Sequence, residues 1–200
     1  MTKIKLCGMM DPRDIEVINT LSADYAGFVF WEKSRRFVSD EKAASLKEKL
    51  SKDIKAVGVF LDDDIEHIKS LSDEGIIDVI QLHGHEDEGY ISKLKSCTDM
   101  PIIKAFLVKD ESVLETIEAS GADMVLLDSG TGSGKSFDWS ILNKIKRDYF
   151  LAGGLDTKNV AEAVERLRPY AVDVSSGIET DGVKDPQKMR RFVEEVRHVG

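Results

Sequence analysis

The sequence predicts an α/β fold, a (β/α)8 TIM barrel forming a single compact domain over residues 1–200. Three observations carry that prediction. Short apolar runs alternate with charged stretches of helical spacing. Each kind of segment occurs eight times. A chain of 200 residues is one domain's worth and lies at the short end of this fold's range.

The apolar runs are Ile4 to Cys7, Ala26 to Phe30, Ala56 to Leu61, Val79 to Leu82, Ile102 to Val108, Met124 to Leu127, Tyr149 to Ala152 and Ala171 to Val174. They are rich in Val, Ile, Leu and Phe and mostly lack polar alternation, as suits parallel strands buried on both faces. One helical stretch follows each run. Arg13 to Leu21 presents Ile15, Ile18 and Leu21, Ser39 to Leu50 presents Ala43, Leu46 and Leu50, and Asp64 to Leu71 presents Ile65, Ile68 and Leu71. Asp87 to Leu94, Ser112 to Ser120, Trp139 to Ile145, Lys158 to Leu167 and Lys188 to Val199 complete the series. Asp11-Pro12, Ser39, Asp156 and Asp185-Pro186 are helix start signals, and Gly75 and Gly121 fall where helices should stop. A doubly wound open sheet is the structural alternative. Eight runs without an obvious edge strand favour closure. The Gly/Ser-rich stretch Ser129 to Ser136 is too short and too embedded to be a linker.

Composition narrows the function. Apolar residues make up 42 % of the chain, enough for a continuous core, and the formal charge of −9 repels phosphate backbones, which argues against a nucleic-acid partner. A small anionic substrate remains compatible with a locally positive pocket. Two cysteines, Cys7 and Cys97, make no disulfide framework and point to a reducing compartment. No apolar run is long enough for a signal peptide or membrane span, so a cytoplasmic location is expected.

In such barrels chemistry collects at the carboxyl ends of the strands. The sequence places there Cys7-Gly8, Ser34-Arg35-Arg36-Phe37, Asp62-Asp63-Asp64, His83-Gly84-His85, Asp128-Ser129 and the turns Gly153-Gly154 and Ser175-Ser176-Gly177. The last two follow strands seven and eight, the usual phosphate address of this fold, where exposed backbone N–H groups hold an anion. Tight turning alone would also explain a glycine, but two adjacent glycine turns at this address favour phosphate. Cys7 ends the first strand before a glycine, where a thiolate would act; a small buried hydrophobe is the plainer reading. Cys97, at a helix end, reads as structural. Asp128 ends an apolar strand across the mouth from Cys7. Desolvation there would keep it protonated and make it an acid, whereas a turn aspartate is the ordinary alternative. Arg35 and Arg36 fit either a solvated cluster or a bidentate carboxylate clamp. His83 and His85 have metal-ligand spacing but no convincing further ligands, so His83 is expected to line the pocket and no metal is expected.

Two other patterns compete. Gly130-Thr131-Gly132-Ser133-Gly134-Lys135-Ser136 resembles a phosphate-binding loop, but Ser129 stands where its first glycine belongs. Lys104, inside strand five, stands where a Schiff-base lysine of an aldolase could sit; the alternative is a polar member of the barrel's inner layer. A phosphosugar-binding domain without catalysis is a third reading.

Several segments together resemble the phosphoribosylanthranilate isomerase family of tryptophan biosynthesis. They are Lys5-Leu6-Cys7-Gly8, Gly27-Phe28-Val29-Phe30, Ser34-Arg35-Arg36-Phe37-Val38, Val59-Phe60, Gln81-Leu82-His83-Gly84, Leu127-Asp128-Ser129, Phe137-Asp138-Trp139, Leu151-Ala152-Gly153-Gly154-Leu155 and Asp173-Val174-Ser175-Ser176-Gly177-Ile178-Glu179. They run from the first strand to the last loop. The resemblance implies a cofactor-independent aldose–ketose isomerisation, an Amadori rearrangement of N-(5-phosphoribosyl)anthranilate. It implies Cys7 as general base, Asp128 as general acid and Arg36 on the anthranilate carboxylate. Gly153, Gly154, Ser176 and Gly177 would hold the phosphate, and His83 would line the site. A monomer or a homodimer is compatible with it. Isomerisation of the related histidine-pathway substrate usually wants two aspartates, so one Cys and one Asp argue against it. Two departures stand out: the Gly130 to Lys135 stretch, which bears on lid behaviour, and Met9-Met10, which bears on how the first loop covers Cys7.

Overall fold

The computed structural model describes residues 1–130 and 139–199. Among these, eight parallel strands close into a barrel in sequence order. They are β1 (Lys3–Cys7), β2 (Tyr25–Val29), β3 (Lys55–Phe60), β4 (Val79–Leu82), β5 (Ile102–Leu107), β6 (Met124–Asp128), β7 (Tyr149–Ala152) and β8 (Ala171–Val174). β8 lies beside β1, with Lys3 opposite Ala171 and Lys5 opposite Asp173, and this pairing closes the ring. The open-sheet alternative is thereby excluded.

The helices form an outer layer: α1 (Pro12–Ile18), α2 (Asp40–Lys49), α3 (Ile65–Asp73), α4 (Glu88–Lys95), α5 (Leu114–Ala119, led by a 3₁₀ turn), α6 (Val160–Leu167) and α7 (Pro186–Val199). Their starts follow from local chemistry. Asp11 and Asp14 form a reciprocal capping box on α1, and Ser39, Asp64 and Asp87 each accept a hydrogen bond from a first-turn N–H. Asp185 likewise accepts from Gln187 N and Lys188 N at the start of α7. Asp156 caps a turn instead, and α6 begins after Asn159. Trp139–Lys144 differs from expectation: it is a 3₁₀ helix, not α.

Alternation along each strand sorts the core. One set of residues, including Tyr25, Val57, Val79, Ile103, Leu126 and Phe150, fills the barrel interior. The intervening set, including Ile4, Leu6, Ala26, Phe60, Ile80, Val125 and Val172, packs under the helices. Continuing the interior set upward brings Cys7, Val29 and Val59 together at the mouth. Met9 is buried in the helix-side core, so it does not cover the thiol. A two-stranded hairpin, β9 (Glu179–Thr180) with β10 (Val183–Lys184), rises after β8.

Candidate active site

A cavity of about 310 Å³ opens at the carboxyl end of the barrel. Cys7, Arg36, His83, Asp128, Gly153, Gly154 and Ser176 all line it, so the rim residues singled out in the sequence converge on one space. Gly177 is not a lining residue. It lies behind the cavity, where a Cβ would sit 2.0 Å from the carbonyl oxygen of Leu155. Its bare backbone is what lets the turns after β7 and β8 touch.

Those turns bring bare backbone to the cavity. Gly153 and Gly154 hold φ of +91° and +65°, a region that side chains disfavour. No acceptor is found among the described residues for the backbone N–H groups of Gly154, Ser176 and Gly177. Gly154 and Ser176 stand at the cavity wall, where an unpaired donor suits a phosphate oxygen.

Cys7 is a free, buried thiol. Two ammonium groups act on it electrostatically. Lys5 lies on the same face of β1, is 0 % exposed, and reaches both carboxylate oxygens of Asp173 at 3.0 Å. Burial pushes the Lys5 ammonium down, but Asp173 and Cys7 more than reverse this, holding it above the ordinary lysine value. Lys184, from β10, is pushed below the ordinary value, chiefly by burial, although Glu179 and Cys7 oppose that. Both ammonium groups belong to ion pairs, with Asp173 and with Glu179.

Asp128 stands on the other side. Burial pushes its carboxyl up, but His83 and the N–H of Gly130, which donates at 2.7 Å, hold it below the usual carboxylate range. His83 Nε2 faces the carboxylate at 3.8 Å, and its Nδ1 meets Gln81 Nε2 at 2.8 Å. The expectation that desolvation alone keeps Asp128 protonated is corrected here: in the unliganded protein it is a carboxylate.

Arg36 is committed on one side. Its Nε and Nη2 donate to the two oxygens of Glu179 at 2.6 and 3.0 Å. His85 is 96 % exposed on its side chain and pairs with Asp62, away from His83, so the two imidazoles do not converge. Lys104 lies on the helix-facing set, since its neighbours Ile103 and Ala105 point inward. It is paired with Glu86 at 2.7 Å and donates to the Gly84 carbonyl at 2.8 Å. Neither the aldolase reading nor an inner-layer lysine fits that position. Cys97 packs partly buried against the helix-side core, as a structural residue should. Within the Gly130 to Ser136 stretch and the Phe137-Asp138-Trp139 segment, residues 131–138 lie outside the described residues.

Sequence reasoning overlooked Lys5, Asp173, Glu179 and Lys184 as working parts of the site. A signal existed for the first two: a lysine and an aspartate inside apolar strands of one barrel need each other.

The comparisons agree with this geometry. The family model described as N-(5'phosphoribosyl)anthranilate (PRA) isomerase matches residues 4–195. An N-(5'-phosphoribosyl)anthranilate isomerase of Endomicrobium trichonymphae is 43 % identical, over 98 % of this chain and 99 % of that protein. The crystal structure of phosphoribosyl anthranilate isomerase from Thermotoga maritima superposes with a TM-score of 0.89 at 33 % identity, covering 99 % of this chain and 100 % of that one. A further isomerase structure, in complex with reduced 1-(o-carboxyphenylamino)-1-deoxyribulose 5-phosphate, gives a TM-score of 0.86 at 32 % identity, covering 99 % and 100 %. By these matches along its length, the chain belongs to the N-(5'-phosphoribosyl)anthranilate isomerase family.

Proposed function

We propose that Cys7 is the general base and Asp128 the general acid of this chain's isomerase reaction. That reaction converts N-(5-phosphoribosyl)anthranilate to 1-(2-carboxyphenylamino)-1-deoxyribulose 5-phosphate in tryptophan biosynthesis. The observation that carries the assignment is the convergence of thiol, carboxyl, guanidinium and glycine turns on one cavity.

The substrate carries a phosphate at one end and a carboxylate at the other. Its phosphate fits the turns at Gly153-Gly154 and Ser176, supported by Gly177, and its carboxylate fits Arg36. Binding brings anionic charge into the cavity and displaces water, and both effects raise a neighbouring carboxyl's proton affinity. Asp128 thus takes up a proton from solvent as the complex forms, while His83 Nε2 faces its carboxyl at 3.8 Å. The acid then protonates the furanose ring oxygen, and the C1–O bond breaks to give an open-chain iminium ion. The iminium acidifies the C2 proton, and Cys7 removes it as the thiolate held beside Lys5 and Lys184. The resulting enolamine tautomerises to the ketone. The iminium itself acts as the electron sink, so the chemistry calls for no cofactor.

We place the reaction in the cytoplasm, supported by two unpaired cysteines, in a monomer or homodimer. Purified protein in EDTA is expected to extinguish the fluorescence of the anthranilate-derived substrate. Cys7→Ser and Asp128→Asn are expected to lose that activity while still binding a product analogue. Wild-type rates in both variants would overturn the assignment.

A further inference from the structure

We propose that Glu179 is a positioning residue that fixes Arg36, and so makes the site selective for an aminosugar whose aromatic ring carries an ortho carboxylate. The proposal rests on the reading of Arg36 as the carboxylate partner and adds the group that gives it this role.

The argument begins with charge. One carboxylate, Glu179, is surrounded by three cations: Arg35 Nη2 at 2.6 Å, Arg36 Nε and Nη2 at 2.6 and 3.0 Å, and Lys184 Nζ at 2.8 Å. Arg35 is 59 % exposed on its side chain, and water screens it. Arg36 and Lys184 are only 19 % and 1 % exposed. Two shielded cations on one carboxylate leave positive charge over. Lys5 and Asp173 already neutralise each other, so this pair absorbs none of it. Lys184 also faces the Cys7 sulfur, so the charge still open toward the cavity is that of Arg36.

Geometry says where an anion would meet it. Glu179 occupies the Nε/Nη2 side of the guanidinium. The opposite end, with Nη1 and the second Nη2 proton, has no partner among the described residues, and Arg36 lines the cavity. A guanidinium held along one edge presents the other as a preset fork for a second carboxylate. The anchor is itself fixed. Glu179 begins β9, lies opposite Lys184 of β10, and its carbonyl accepts from Lys188 at 2.6 Å. Gly8 clears the path of the arginine, since a Cβ there would lie 2.4 Å from Arg36 Cδ. Glu179 does not line the cavity, so it acts through Arg36.

The test is a discrimination ratio: kcat/KM for the anthranilate aminosugar phosphate over kcat/KM for the same compound built on aniline. A loss common to both substrates cancels in it. Wild type is expected to favour the carboxylated compound. In Glu179→Gln the ratio is expected to fall by about tenfold, the scale of one charge-assisted hydrogen bond, with the change carried by KM. Glu179→Asp, which keeps the charge, should recover part of it. Should Glu179→Gln fail to fold, the double variant Glu179→Gln, Lys184→Met removes the stranded ammonium and is read in the same ratio. An unchanged ratio in a folded variant, with Arg36→Ala lowering it, overturns the role of Glu179 alone. A ratio that Arg36→Ala also leaves unchanged overturns the carboxylate reading of Arg36 as well.

Discussion

Around Cys7 the cavity is backed by ion pairs, of which only Arg36 and Asp173 reach its lining, whereas Asp128 is met by one imidazole and one backbone N–H. On the first side Lys5 with Asp173, and Lys184 with Glu179 and Arg36, interlock β1, β8 and the β9–β10 hairpin. On the second, His83 stays 3.8 Å from Asp128, and its own support is a single contact to Gln81. The difference matches what each group must do. A thiolate base needs fixed positive charge that does not have to rearrange as the reaction proceeds. An acid must change its proton occupancy between free and bound states, and a carboxylate locked by strong cations could not. The phosphate cradle needs neither device, only backbone.

The largest test of that contrast removes the reacting groups themselves. Cys7→Ser and Asp128→Asn should each lower kcat by about 10²–10⁴-fold, the usual contribution of a positioned acid or base. Assaying each variant on the pure substrate separates the two sides: comparable losses support a two-group mechanism, and a silent Asp128→Asn would break it.

The next concerns the ion-paired side. Lys5→Met leaves Asp173 buried without its partner, at about 3–5 kcal/mol. In a chain of this size the melting temperature should drop by roughly 6–20 °C. Adding Asp173→Leu should restore most of that stability, because buried pairs replaced by apolar side chains are often neutral. The activity should remain low, since the cation beside the sulfur is still missing. Full activity in the stable double variant would show the pair to be structural only.

Much of this arrangement was readable in advance, for reasons that also explain the rest. Apolar runs located all eight strands to within one residue at each end, because a strand buried on both faces tolerates little else. The same property hides orientation. In Ile102 to Val108 nothing tells which alternate set faces inward, and Lys104 was free to be read as an inner-layer residue until Ile103 and Ala105 were seen inside. Long-range pairing is hidden too: Lys5 and Asp173 lie 168 residues apart, and only closure of the ring brings them together. Rim residues such as Asp128 were found by address, but the sign of its proton affinity depended on His83, a neighbour from another strand.

Two smaller effects sharpen the carboxyl side and the cradle. Gly177→Ala forces a Cβ against the Leu155 carbonyl and should cost about 1–3 kcal/mol of stability. Displacement of the turn should show as a raised KM, measurable against the same substrate. His83→Leu removes the first cause that lowers the Asp128 carboxyl and leaves burial, which raises it. The carboxyl carbon resonance of Asp128 should then titrate at higher pH than in wild type. No upward movement would mean that Gly130 alone holds it down.

The smallest expected effect lies on the rim outside the cavity, at His67 of α3. Its Nδ1 meets Asp63 at 3.0 Å and its Nε2 meets Asp40, the first residue of α2, at 3.1 Å. Both partners are carboxylates that only accept, so both ring nitrogens must donate and the ring is an imidazolium. Burial, the largest influence, works against that charge, yet Asp40 and Asp63 raise the group above its ordinary value of 6.5. The folded state therefore binds this proton more tightly than the unfolded chain does. The resulting stability is complete below pH 6.5 and disappears as pH rises through the elevated folded-state value. Half-exposed pairs of this kind contribute about 0.2–1 kcal/mol each, which corresponds to a few degrees in melting temperature. His67→Gln keeps one donor but cannot titrate, so its melting temperature should fall less than that of wild type between pH 6 and pH 9. Because α2 follows the loop that carries Arg36, this tie bears on the ion-paired side. Parallel pH profiles for the two proteins would show that the imidazole does not hold that loop through its charge, and that the buried pairs around Glu179 suffice.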